Sequence, residues 1–200
     1  GNADFDQNAA LDACVETARV RYFDGIGDYI DMGYVPEDKS GASVSKTLEY
    51  AYDDWAIAQA AKKLGRDEIY DEFIERSTYW KNVYDKSIGF MRPKLSDGSF
   101  KKEFDALNTH GQGFIEGNSW NYSLYVPQDP AGMIDICEQL KIPAKSFLYL
   151  GDTATDMKTA TSAGCFPVGV LWGFRPEKEL RENGAQAIIN APLELLDLLD

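Results

Sequence analysis

The chain has 200 residues, 44% of them hydrophobic and 12% aromatic, enough to build one domain or two small ones. Acids outnumber bases 33 to 20, and the formal charge of −13, with no basic stripe, argues against nucleic acid as a partner. No apolar run reaches the roughly 18 residues a membrane span needs, and no signal peptide is legible at the start. Cys14, Cys137 and Cys165 lie far apart in apolar contexts, which suits neither a disulfide framework nor a metal cluster and predicts buried thiols.

In chain order, residues 6–21 place Ala9, Ala10, Cys14 and Ala18 at helical spacing, with Asp4 and Asp6 at the N-terminal end. Residues 23–39, rich in Gly, Asp and Tyr, predict a loop. A helix is predicted over 45–64, stopped by Gly65, with Leu48, Ala51, Tyr52, Trp55, Ala58 and Ala61 as its apolar stripe. A second helix over 67–84 turns Tyr70, Phe73, Ile74, Trp80 and Tyr84 inward. Two antiparallel helices on a short loop are the unit of a helical bundle or ring. Asp53 and Asp54 are adjacent on the first of them and point about 100° apart, so one can face a ligand while the other caps or pairs. Residues 85–110 predict an irregular connection, and the single histidine, His110, reads as solvated.

The densest chemistry lies in residues 111–127, Gly-Gln-Gly-Phe-Ile-Glu-Gly-Asn-Ser-Trp-Asn-Tyr-Ser-Leu-Tyr-Val-Pro. Its glycines let backbone approach a ligand, and Trp120, Tyr122 and Tyr125 offer flat faces and polar edges suited to sugar rings. A carboxyl set among such rings is desolvated, which favours its protonated form and suits Glu116 to act as a general acid. The bland reading, a loop and helix start whose aromatics fill a core, stands beside it.

Ser43-Val-Ser-Lys-Thr-Leu-Glu-Tyr-Ala-Tyr-Asp-Asp-Trp55, Gly89-Phe-Met-Arg-Pro93, Glu116-Gly-Asn-Ser-Trp-Asn-Tyr122 and Val126-Pro127 together resemble the glycoside hydrolase family 92 α-mannosidases over about residues 6–134. The resemblance implies part of an (α/α) toroid and calcium-dependent, inverting cleavage of terminal α-mannosides, with Glu116 as general acid. It also implies a sugar subsite lined by Asp53 or Asp54, Trp55, Asn118 and Trp120, with Lys46 and Trp55 weaker members of the wall. The family's general base belongs to a more C-terminal motif than the resemblance reaches. A partial ring leaves apolar helix faces for self-association or for the rest of the chain to cover.

From Asp129 the pattern changes to alternating helix and strand: a helix over 131–140, strands at 147–150, 166–171 and 187–189, and helices to Gly164, near 177–183 and from Pro192. Such alternation predicts parallel β-α units, a Rossmann-like α/β segment. Gly151-Asp-Thr-Ala-Thr-Asp156, with Ala163-Gly164, Gly173-Phe-Arg175 and Gly184-Ala185, resembles haloacid-dehalogenase-like phosphatases of the phosphoglycolate phosphatase type over about 130–199. The resemblance implies Mg²⁺ on Asp152 and Asp156. That superfamily's Asp-x-Asp nucleophile has no counterpart on an earlier strand.

The expected organisation is therefore a mixed fold, mainly helical over 1–128 and α/β over 129–200. Three functions stand open: a glycoside hydrolase acting on mannose-containing oligosaccharides, a phosphatase of small phosphoesters, and a sugar-binding module without catalysis. The mannosidase half implies export and the phosphatase half the cytoplasm.

Overall fold

A computed structural model describes residues 5–199, which divide between Tyr125 and Val126 into two compact units. Asp4, expected near the first helix start, lies outside the described residues. Helices accompanied by two small sheets make a mixed α/β protein.

In the first unit, α1 (Gln7–Thr17) begins where the Asp6 carboxylate accepts the amides of Asn8 and Ala9, at 3.0 and 3.1 Å. Its buried residues are Leu11 and Val15, four apart, and Cys14 is exposed. The helix is thus rotated by one residue from the expected alanine-cysteine face, because the larger aliphatic side chains bury more apolar area. Residues 23–39 contain α2 (Ile26–Met32), where a loop was expected. Gly25 and Gly33 bracket it at φ 86° and 75°, and Ile26 and Tyr29 face inward one turn apart. A methyl group on Gly25 would sit 2.9 Å from Val35, so glycine there answers both backbone conformation and close packing.

The long helix α3 (Ser43–Lys63) and α4 (Asp67–Arg76) form an antiparallel hairpin turned by Gly65 at φ 69°. Leu11, Val15, Ile57, Ala58, Ala61 and Phe73 join α1, α3 and α4 in one core. On α3, Tyr52 and Trp55 are half-buried rather than core, stacked on each other at 5.9 Å. The expected continuation of α4 to Tyr84 ends at Ser77. The Ser77 and Thr78 hydroxyls donate back to the carbonyls of Ile74 and Glu75, competing with the helix. A 3-10 turn over Tyr79–Val83 follows and still buries Trp80.

The connection expected to be irregular carries a short hairpin, β1 (Tyr84–Asp85) with β2 (Phe90–Met91), and an isolated bridge between Lys94 and Phe100. Asp85 closes the hairpin by accepting Ser87 and pairing with Arg92 at 2.9 Å. The four-residue α5 (Ser119–Tyr122) clamps β2: Ser119 donates to the Met91 carbonyl, and the Ser123 hydroxyl accepts the Met91 amide.

The second unit holds α6 (Pro130–Gln139), β3 (Leu148–Gly151), α7 (Ala154–Ser162), β4 (Phe166–Val170), α8 (Glu177–Glu182) and β5 (Ala187–Ile189). The strands are parallel in the order β3-β4-β5, with Leu150 opposite Val168 and Gly169 opposite Ile188. Val168, Val170 and Ile189 centre its core. The final segment, expected as an α-helix, is a 3-10 run over Pro192–Leu198 that buries no residue fully, with Leu195 and Leu198 packed against the core of the sheet. Among the described residues, no helix is long and apolar enough to cross a membrane.

Candidate active site

The Glu116 loop is mounted on the start of α3. Ala42, the N-cap of that helix, provides no side-chain cap. Instead the Gly113 carbonyl accepts the amides of Val44 and Ser45, at 2.9 and 3.2 Å, satisfying donors a helix start leaves orphaned. Gly113 has φ 83°, and a methyl group there would lie 2.7 Å from Pro93 and 3.1 Å from Val44, so the backbone can come this close only as glycine. Two residues on, the Ile115 amide donates to the Ser45 hydroxyl at 3.0 Å, and Tyr122 donates to the Ile115 carbonyl at 2.7 Å.

Held on both sides, the chain passes through Glu116 at φ 54°, a left-handed conformation uncommon for a residue with a Cβ. The Glu116 side chain is exposed, not enclosed by rings as the sequence suggested. The aromatics are engaged elsewhere: Phe114 is buried against Tyr122, Tyr122 packs edge-on to Tyr125, and Trp120 packs edge-on to Phe90 at 4.9 Å. Trp120 remains 42% exposed, leaving part of its indole open to a ligand. Asn118 works as a tether. Its Oδ1 accepts the Asn121 amide, its amide donates to Asn121 in return, and its Nδ2 donates to the Leu107 carbonyl at 3.0 Å.

Further along α3, Glu49 and Asp53 share one face, four residues apart. Tyr125 donates to Glu49 at 3.3 Å, a second tie between the Glu116 segment and this helix. Desolvation raises the pKa of both carboxyls; at Glu49 the Asp53 charge adds to the rise and the Tyr125 hydrogen bond opposes it. Ser45, which anchors the loop, and Asp53 are eight residues apart, a rise of about 12 Å along one rigid helix. Asp53 also lines a cleft of about 550 Å³ with Cys14, Phe23, Tyr50, Asp54 and Arg76.

Asp54 points inward and is 1% exposed. Arg76 grips both its oxygens at 2.9 Å, and Tyr29 donates to it at 2.8 Å. Burial pushes its carboxyl up to about 6, although Arg76 and Tyr29 both pull the other way. Lys46 pairs with Asp24 and bonds Ser40. Sequence reasoning missed Arg76, Tyr29 and Glu49. The available signal was Arg76 itself, a lone cation three residues after the core residue Phe73 on an amphipathic helix.

In the second unit, Asp152 follows β3 and accepts the Phe174 amide at 2.9 Å. A methyl group on Gly173 would lie 2.2 Å from the Asp152 side chain, and one on Gly151 would lie 2.1 Å from Asp156. Asp156 forms a capping box with Thr153, accepting that residue's amide and hydroxyl at 3.0 and 2.8 Å. One of its oxygens is therefore committed to the helix start. Among the described residues, no three His, Cys, Asp or Glu side chains gather to hold a metal. Among the described residues, Asp152 and Asp156 thus gain no third ligand of these types for Mg²⁺, and no such cluster is offered to Ca²⁺.

Residues 1–148 match the glycosyl hydrolase family 92 catalytic domain, and the chain belongs to that family. It is similar to a family GH92 α-mannosidase of Bacteroides thetaiotaomicron, 40% identical with a TM-score of 0.66 over 70% of this chain and 19% of that one. The same enzyme in complex with mannoimidazole superposes equally well, at a TM-score of 0.66. A family GH92 inverting mannosidase of the same organism is 33% identical, with a TM-score of 0.67 over 73% of this chain and 21% of that one. The chain thus spans about a fifth of these structures. A stretch of 73 residues is 34% identical to an N-acetylmuramic acid 6-phosphate phosphatase of Pseudomonas aeruginosa, covering 36% of this chain and 32% of that protein.

Proposed function

We propose that the N-terminal segment, residues 1–128, is the acid-bearing part of an inverting exo-α-mannosidase. Glu116 protonates the leaving oxygen of a terminal α-mannoside. The observation that carries this reading is the mounting of Glu116: an exposed carboxyl on strained backbone, fixed through Gly113 and Ile115 to a buried helix start. Such a mount holds a proton donor in place without filling the space a sugar needs. Asp53, two turns along α3, is the member of the acidic pair free to accept sugar hydroxyls, since Asp54 is enclosed by Arg76 and Tyr29. Trp120 offers an open indole face, Trp55 stands half-buried on the same helix as Asp53, and Asn118 holds the loop in shape.

Inverting hydrolysis needs a second carboxylate about 6.5–9.5 Å from the acid to activate water. That base is assigned to the family's more C-terminal motif, and Asp54, locked in its pair, is not a candidate. Calcium dependence is carried from the family, with no step assigned to the ion here. The partial toroid is supported by the α3–α4 hairpin. Residues 129–200 are proposed as a haloacid-dehalogenase-like, Rossmann-like segment, supported by the parallel sheet and the phosphatase identity. No catalysis is assigned to that segment.

The test is mannose release from an aryl α-mannoside by the wild type and by Glu116→Gln. Turnover is expected to fall by about 10²–10⁴-fold. The thermal midpoint should stay unchanged, because Glu116 is exposed and the substitution keeps its shape. Equal turnover in the two proteins would overturn the assignment. Mannoside binding by calorimetry that Glu116→Gln leaves unchanged, without turnover in a protein that also carries the family's C-terminal motif, would favour the sugar-binding module instead.

A further inference from the structure

The cleft of about 550 Å³ beside Asp53 is walled by residues of α1, α2, α3 and α4. Its size falls within the roughly 300–1,000 Å³ of small-molecule sites. Its buried lining is largely apolar, with Ile26, Ile57 and the Tyr29 ring. Tyr50 packs edge-on against Tyr29 at 5.4 Å, and Phe23, 59% exposed, adds a third ring. Cys14, on α1, is exposed along the same cleft.

The polar groups of the cleft are committed, with one exception. The Thr17 hydroxyl donates to the Ala13 carbonyl at 2.9 Å, and the Tyr50 hydroxyl to the Asp24 carbonyl at 3.0 Å. Arg76, the one cation among the described residues that line the cleft, is spent on Asp54, Glu72 and the Ala18 carbonyl. Asp53 is the exception: it is exposed and takes no hydrogen bond or ion pair among the described residues. Desolvation raises its carboxyl, and Glu49 lies one turn away on the same face, so the charge left uncompensated here is negative.

These features select a ligand by its charge. An anion would meet the Asp53 carboxylate with no free cation to offset it. A polyol would find both hydroxyls already bonded and an apolar floor beneath. A cation on an apolar body satisfies the carboxylate and the aromatic rings together, since ring faces also attract an ammonium.

We propose that this cleft is a binding site for a small amphipathic amine, its apolar body against Ile57, Tyr50 and Phe23 and its ammonium paired with Asp53. The site does not rest on the mannoside function proposed above. It draws on the same uncommitted carboxylate, so amine and sugar exclude each other at Asp53.

The experiment uses the whole 200-residue chain and takes the exposed Cys14 as reporter. Methyl methanethiosulfonate modifies the thiols, and peptide mass spectrometry follows Cys14, with the buried Cys137 and Cys165 as internal references. The probes are 2-phenylethylamine, its neutral counterpart 2-phenylethanol, the anion phenylacetate, and mannose. The amine should slow Cys14 modification saturably, about tenfold at ten times its dissociation constant, and leave the two buried thiols unaffected. Asp53→Asn should weaken the amine about tenfold or more, the loss of a charge-assisted bond. Asp71→Asn, an exposed carboxylate outside the cleft, should leave the affinity unchanged. Equal protection by the alcohol, or protection that survives Asp53→Asn, would overturn the pairing with Asp53. Protection by mannose but not by the amine would overturn the proposal and give the cleft to the sugar.

Discussion

Replacing Arg76 by Met removes a buried cation while keeping most of its apolar stem. Arg76 is 5% exposed and Asp54 1%, so neither charge has water to fall back on. The substitution deletes two 2.9 Å bonds to Asp54 and a 3.1 Å bond to the Ala18 carbonyl, and leaves a carboxylate enclosed without its counter-ion. Breaking a buried pair from one side costs about 3–5 kcal/mol, a large part of the ~5–15 kcal/mol that holds a domain together. The thermal midpoint should fall by about 10 °C or more. Urea unfolding followed by tryptophan fluorescence suits the measurement, because Trp55, Trp80 and Trp120, three of the four tryptophans, lie in the first unit. The double replacement Asp54→Leu with Arg76→Met should recover most of the loss, since no charge is then stranded and Tyr29 keeps its bond to the carbonyl of residue 76.

The pH dependence separates charge from packing. The Asp54 carboxyl is raised from 3.8 to about 6 in the folded protein, so the folded state binds its proton more tightly than the unfolded one. The stability this contributes is present below pH about 4 and is lost as pH rises through about 6. Without Arg76 the carboxyl rises further, so the deficit of Arg76→Met should shrink between pH 8 and pH 5. A loss under about 1 kcal/mol, or one independent of pH, would refute the electrostatic account.

Asn118→Ala removes the α5 cap and the tether to Leu107, and should cost about 0.5–2 kcal/mol in urea unfolding. It should also lower mannoside turnover through a misplaced Glu116, read as a fall in kcat with little change in KM. Gly173→Ala places a methyl group 2.2 Å from the Asp152 side chain, where something must shift. A destabilisation of about 1–3 kcal/mol is expected, and an Asp152→Gly background should relieve it. Unchanged stability in the single variant would remove the close approach of the Asp152 side chain to Gly173.

Local pattern and motif text made much of this protein legible in the sequence. The α3–α4 hairpin, the alternation of strands and helices after Asp129, and Glu116 in its Glu-Gly-Asn-Ser-Trp motif all follow from residues close together in the chain. Helical periodicity, strand runs and turn residues are local properties, and so survive without knowledge of the fold. What failed was also local: Ser77 and Thr78 ended α4 through their own hydroxyls, and two glycines concealed α2.

Only the tertiary structure decided which way side chains face. Asp53 and Asp54 are equivalent as letters. Their 100° separation on α3 leaves one at the surface and sets the other opposite Arg76, 22 residues away. Glu116 sits among aromatics in the chain yet is exposed in space, because each neighbouring ring found a partner of its own: Phe114 with Tyr122, and Trp120 with Phe90. Burial and ion pairing depend on distances across the fold, and those distances are settled by packing rather than by neighbouring letters.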